Sequence, residues 1–208
     1  MTLTDIMVEY CNQVLTGDIV ACKKHKWSCS RFLRDLERQG TEDFPYVFNE
    51  EKALLFFDWM RLFKHTKGPL AGQHKEPADI EIFIFGNIYG WYHKDTGYRR
   101  FKKAYWQVAR KNAKSQDLAI VGLYETLANH KGGKAETYCG ATKTEQAKIV
   151  WEEAETILRQ CKLLEGKYEI KYGRIIHKKT GSFMRALSKE DRKEADGFSP
   201  KCAIIDEY

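Results

Sequence analysis

Apolar residues recur along this chain at two different spacings. Near the N-terminus Ile6, Val8, Tyr10, Val14 and Leu15, then Trp27, Phe32, Leu33 and Leu36, return at roughly helical intervals, with Lys23, Lys24, Lys26, Arg31, Arg34 and Arg38 interleaved. That pattern predicts two or three amphipathic helices over residues 1–40, with Gly40 as the stop. Residues 44–48 read as a short extended segment. Asn49 is placed to cap a helix over 50–65 whose buried side are Leu54, Leu55, Phe57, Trp59, Leu62 and Phe63, and Gly68-Pro69 ends it. The stretch DIEIFIFGNIYGW at 79–91 is apolar enough for either state, and its residues alone favour a strand. Asp95-Thr96-Gly97 reads as a turn that leads Tyr98, Arg99, Arg100, Phe101, Lys102 and Lys103 toward the core.

The second half alternates short apolar runs with helical patterns. Residues 104–108 form a predicted strand that breaks into a polar loop ending in Lys114-Ser115, and Asp117, Leu118, Ala119, Ile120, Leu123, Tyr124 and Leu127 continue at once with helical spacing. A second strand is expected over 135–140, then a helix over 144–161 with Ile149, Val150, Trp151, Ala154, Ile157 and Leu158 inside. Residues 168–170 and 174–177 alternate like a hairpin about Tyr172-Gly173, and 181–188 read as a further strand. The charged stretch 189–195 reads as a surface loop. At the end of the chain Cys202, Ala203, Ile204 and Ile205 describe a buried parallel strand that carries Asp206 and Glu207 at its carboxyl end. Strands alternating with helices in this way describe an α/β fold.

Strand, loop, Lys-Ser, helix is the layout of a phosphate-binding loop. Backbone amides and the positive end of the helix surround a β-phosphate, the lysine reaches the β and γ oxygens, and the serine hydroxyl holds Mg²⁺. The usual glycines six positions and one position before the lysine are Val108 and Ala113 here. The bland alternative is a basic helix start at a sheet edge. The terminal acids make the functional reading more specific, because phosphoryl transfer needs a phosphate cradle and a metal-holding carboxylate on neighbouring strands. Asp206 suits the metal and Glu207 an attacking water. If Ala113 takes positive φ it costs roughly 1–2 kcal/mol, and at negative φ it is nearly harmless.

The stretches at 31–53, 64–72, 85–91, 95–105, 108–115, 138–150 and 196–208 (RFLRDLERQGTEDFPYVFNEEKA, KHTKGPLAG, FGNIYGW, DTGYRRFKKAY, VARKNAKS, YCGATKTEQAKIV, DGFSPKCAIIDEY) together resemble, in order and spacing, the large terminase subunit of tailed double-stranded DNA phages. The resemblance implies a P-loop NTPase of the additional-strand type, a mostly parallel central sheet flanked by helices. It turns 79–91 into a helix. It implies ATP and Mg²⁺ as cofactors, nucleotide contacts from Ala109, Arg110, Lys111, Asn112, Ala113, Lys114 and Ser115, metal ligation by Ser115 and Asp206, and catalysis by Glu207, Lys114 and Arg110. Arg110 matches an arginine that reaches the γ-phosphate in cis, and Thr142 matches a strand-end threonine near nucleotide or nucleic acid. Glu81 stands where related chains carry an adenine-reading glutamine; the alternative is a solvated helix residue. Arg99 and Arg100 are candidates for a neighbouring subunit's γ-phosphate or for DNA. Implied partners are double-stranded DNA, a small terminase subunit and a portal protein, with a homo-oligomer on the procapsid. The expected organisation is an N-terminal helical element at 1–43 and an ATPase domain at 44–208, with the sheet incomplete at its last strand, the following nuclease absent, and the chain a fragment of low activity.

With 208 residues, 43% of them hydrophobic, the chain is long enough for a core, and no apolar run reaches the roughly 20 residues that span a bilayer. The expected location is the host cytoplasm. A net charge of +6 suits polyanionic partners and equally a solvated basic surface. The six cysteines contain no CxxC pair, and Cys22, His25 and Cys29 lack the spacing of common zinc sites. The competing functions are a helicase-like DNA translocase and a non-hydrolysing interaction module, such as a prophage remnant that docks on the small terminase or portal.

Overall fold

The structure, a computed structural model, describes residues 1–109, 112–129, 133–141, 144–187 and 197–206, and it divides into two compact units. The first comprises Met1–Arg61 and Glu76–Trp106, the second Leu62–Lys75 and Gln107–Tyr208.

In the first unit, α1 (Leu3–Thr16) and α2 (Lys23–Glu37) are followed by β1 (Tyr46–Phe48), α3 (Glu50–Arg61), α4 (Asp79–Gly90) and β2 (Trp91–His93). Thr2 and Asp5 close a capping box on α1, and the Asn49 side chain accepts from the Lys52 amide at 2.9 Å to start α3. Strands β1 and β2 pair antiparallel with Phe48 opposite Trp91. Trp91 is fully buried and meets Phe32, Phe44 and Phe48 edge to face. Gly90 makes this possible, since a Cβ there would lie 2.3 Å from the Phe48 ring.

Residues 79–91 are a helix up to Gly90, so the strand that their composition favours does not form. The reason is packing: α4 contacts both α1 and α3 and buries side chains on several sides, Ile82, Phe83, Phe85 and Tyr89 among them. A helix that is apolar nearly all round shows no 3.6-residue period to read. The expected buried side of α3 is also corrected. Leu54 and Leu55 are 39% and 60% exposed, whereas Ala53, Phe56, Phe57, Trp59 and Met60 are inside and the helix stops at Arg61.

In the second unit, α5 (Lys114–Leu123) runs into one π-helical turn at Tyr124–Ala128, followed by β3 (Glu136–Ala141), α6 (Thr144–Gln160), β4 (Tyr168–Lys171), β5 (Arg174–His177), β6 (Phe183–Ala186) and β7 (Cys202–Asp206). The five strands lie in the order β4-β5-β6-β3-β7. The sheet is mixed: β3 pairs parallel with β6 and β7, while β4, β5 and β6 pair antiparallel. The β4–β5 turn puts Tyr172 and Gly173 at φ 52 and 67, the two positive values that a tight two-residue hairpin turn demands. Helices α5 and α6 pack together, α6 over β3, β6 and β7 and α5 against β7. Gly122 allows the close approach of α5, because a Cβ there would lie 2.6 Å from Met184 Cε and 3.0 Å from Ile204 Cδ1. On α6, Ile149 is 47% exposed, contrary to the expected inward face, while Val150, Ala154, Ile157 and Leu158 are buried.

The strand expected at 104–108 is not formed. A strand exists only through a ladder partner, and residues 101–109 pair with no described strand; Tyr105 is 85% exposed. The terminal strand β7 is parallel as expected but is not buried throughout. It lies at the edge of the described sheet, with Ile204 and Asp206 inside and Ile205 54% exposed. The stretch 189–195 lies outside the described residues.

Candidate functional site

The parallel strands β3 and β7 end side by side, with Ala141 opposite Asp206, and helix α5 begins over that end. Crevices outside the carboxyl ends of parallel strands are where open α/β sheets bind ligands. Asp206 is the last residue of β7 and only 7% exposed. Its Oδ1 lies 2.7 Å from the Nζ of Lys114, the first residue of α5. Residues ninety-two positions apart in sequence, a lysine at a helix start and a carboxylate at a strand end, thus meet in one ion pair. In the strand beside Asp206, burial pushes the Cys139 thiol up, so it stays a neutral wall.

Two features of the described residues just before Lys114 stand out, one side-chain hydrogen bond and one strained backbone position. Asn112 Nδ2 donates to the Ala109 carbonyl at 3.0 Å. Ala113, the residue before α5, sits at φ 53 and ψ 5, in the left-handed region. Glycine usually occupies this position of the loop, and the positive φ explains the preference: a β-carbon is disfavoured there. The Asp117 amide donates back to the Ala113 carbonyl at 3.1 Å, which closes the first turn of the helix behind Lys114 and Ser115.

A hairpin made by Leu62–Lys75 grips this first turn. Within it the His65 amide donates to Gln73 O and the Lys75 amide to Phe63 O, both at 2.9 Å. Gln116 Nε2 donates to the Lys64 carbonyl at 3.0 Å, and Lys75 Nζ lies 2.9 Å from Asp117 Oδ1. Both members of this second ion pair are buried, with side chains 2% and 0% exposed. On α6, Glu153 is bonded by the Thr66 hydroxyl and paired with Lys67 at 3.5 Å. Nothing local in the sequence marks Lys75 or Glu153. Asp117 is legible only as an acid in the polar first turn of a helix, and nothing local identifies a lysine more than forty positions upstream as its partner.

The other expected residues are placed as follows. Ala109, Asn112, Ala113, Lys114 and Ser115 lie along the loop and the helix start. Arg110, Lys111, Thr142 and Glu207 lie outside the described residues. Glu81 is not a solvated helix residue: it is 7% exposed, and its Oε2 accepts from the Ala78 amide at 2.9 Å, which caps α4. Arg100 is engaged within the first unit. Its Nη1 lies 2.6 Å from Asp35 Oδ2, with Asp35 1% exposed, and its guanidinium stacks near Phe44, Trp91 and Phe101. Cys29 shares a hydrogen bond with Cys11 across α1 and α2, whereas Cys22 is exposed. Among the described residues no group of three or more His, Cys, Asp or Glu side chains could hold a metal, and no helix is long and apolar enough to cross a membrane.

Comparison with known proteins adds the family. A family model described as the terminase large subunit, ATPase domain, matches residues 79–208. The crystal structure of the HK97 bacteriophage large terminase is similar in fold, with a TM-score of 0.58 and 21% identity over 77% of this chain. The chain spans about a third of that structure, covering 31% of it. A comparison with curated proteins found no match.

Proposed function

This chain belongs to the family of terminase large-subunit ATPase domains, and on that premise we propose that it is the ATP-hydrolysing module of a phage DNA-packaging motor. The observation that carries the proposal is the 2.7 Å pair between Lys114 and Asp206 at the end of two parallel strands. Such a pair brings a phosphate-binding cation and a metal-holding anion into one place, where each offsets the charge of the other.

In this reading the loop at 109–115 wraps the polyphosphate with its backbone amides, and Lys114 leaves Asp206 to neutralise the β and γ oxygens. The Ser115 hydroxyl and the Asp206 carboxylate are hard oxygen donors of the kind Mg²⁺ selects. When bound, the cation offsets charge on the β- and γ-phosphates. Glu207, next in the chain, orients or deprotonates the attacking water, and Arg110 reaches the γ-phosphate from the same loop. Glu81 Oε2 is engaged by Ala78, so helix capping competes with the adenine contact expected of it. The Ala113 methyl group stands where glycine is usual and would crowd a phosphate there, which argues for weak nucleotide binding. Double-stranded DNA is the proposed substrate of translocation, with a small terminase subunit and a portal protein as partners.

The test is a fluorescent ATP-analogue titration with and without Mg²⁺, alongside phosphate release. The proposal expects Mg²⁺-dependent binding that Lys114→Ala abolishes. Binding indifferent to Mg²⁺ and to Lys114 would overturn it in favour of a non-hydrolysing interaction module.

A further inference from the structure

An acid one turn into the phosphate-loop helix is a liability for a site that must attract a polyanion. Asp117 sits there: its amide closes the first turn of α5 on Ala113 O, and its carboxylate is fully buried just behind Lys114 and Ser115. A carboxylate in the first turn suits the helix dipole, yet it draws on the same positive end that a bound phosphate would use. Through a poorly solvated medium that repulsion is weakly screened. The chain answers with Lys75, itself buried, whose ammonium lies 2.9 Å from Asp117 Oδ1 and arrives on a hairpin that also binds Gln116 through the Lys64 carbonyl.

Resting on the nucleotide-site reading above, we propose that Lys75 is the positioning and charge-compensating residue of the phosphate loop: it cancels Asp117, so that the start of α5 stays attractive to a polyphosphate. Lys75 touches neither nucleotide nor metal in this account; it acts through Asp117. The proposal therefore predicts an asymmetry that a purely structural ion pair does not. Removing the lysine takes a positive charge away from beside the anion behind the phosphates, whereas removing the acid takes that negative charge away.

The experiment compares wild type, Lys75→Met, Asp117→Asn and the Lys75→Met/Asp117→Asn double variant. It measures affinity for Mg²⁺ with a fluorescent ATP analogue, then competition by ATP, ADP and adenosine, with melting temperature recorded without nucleotide. Lys75→Met should weaken ATP by about tenfold or more, the size expected of one weakly screened charge near a polyphosphate, and should affect adenosine not at all. Asp117→Asn should bind ATP as well as wild type or better, and the double variant should return to within about threefold of wild type. The lost affinity should scale with ligand charge, not with the change in melting temperature. If Asp117→Asn weakens ATP as much as Lys75→Met does, or if adenosine suffers equally, the pair is a packing element and the proposal fails. Should Lys75→Met not fold, Asp117→Asn decides alone: unchanged or tighter ATP binding supports the proposal and weaker binding overturns it. Wild type that fails to bind Mg²⁺-nucleotide removes the nucleotide-site reading and this proposal with it, whereas the variant outcomes remove only the latter.

Discussion

Lys114 Nζ lies 2.7 Å from Asp206 Oδ1, and the two side chains are 31% and 9% exposed. The lysine is the more accessible partner, and the carboxylate is nearly buried at the end of its strand. That asymmetry suits a site in which the cation changes partner when a polyphosphate arrives and the anion passes to a metal.

Asp206→Asn keeps the shape of the site and removes its charge. Nucleotide binding should lose its dependence on Mg²⁺, and any ATP turnover should fall by roughly 10³-fold, since a metal contributes several kcal/mol to phosphoryl transfer. Titration of Mg²⁺ at fixed ATP, read by phosphate release, checks this. The Asp206→Asn protein should stay folded, because Lys114 is partly solvated and tolerates the loss of its partner.

Ala113 offers the opposite experiment, a gain. At φ 53 the methyl group costs roughly 1–2 kcal/mol, and glycine returns part of that through its freer unfolded chain. Ala113→Gly should therefore stabilise the protein by about 0.5–1 kcal/mol and tighten nucleotide. Ala113→Val, β-branched at positive φ, should destabilise it. Thermal melting and nucleotide affinity of the two variants read both effects.

Arg100 separates a structural role from a role in trans. Its partner Asp35 is 1% exposed and also pairs with Arg38 at 2.8 Å, so Arg100→Ala leaves a buried carboxylate partly uncompensated. A loss on the order of 2–3 kcal/mol is expected in urea unfolding. A variant of unchanged stability with reduced ATP turnover would instead point to a neighbouring subunit's phosphate.

Gly122 tests the seating of α5 on its strands. A Cβ there would lie 2.6 Å from Met184 Cε, so Gly122→Val should cost about 1–3 kcal/mol through overpacking, seen as a lower melting temperature. Gly122→Ala should cost much less, because the methionine end can move and alanine regains helix propensity.

Much of this architecture was legible where local chemistry is strong. Asn49 caps α3, Tyr172-Gly173 turns a hairpin, and Lys114-Ser115 opens α5 while Asp206 ends a parallel strand. What was not legible depends on distant partners. Which face of α3 or α6 is buried is decided by what packs there, so Leu54, Leu55 and Ile149 turned outward against their hydrophobicity. The apolar residues 104–108 have strand composition and no ladder. Helix α4, apolar on most sides, could be told from a strand only by family likeness. The pair of Lys75 and Asp117 joins residues that carry no mark of each other in sequence, and only the folded hairpin brings them together.

The most direct measurement is a crystal structure of this chain with Mg²⁺ and a non-hydrolysable ATP analogue. The account predicts that Lys114 Nζ abandons Asp206 for the β- and γ-phosphate oxygens, while Asp206 and Ser115 face the metal. A complex that keeps Lys114 on Asp206 at the present 2.7 Å, with nucleotide bound elsewhere or absent, would contradict it.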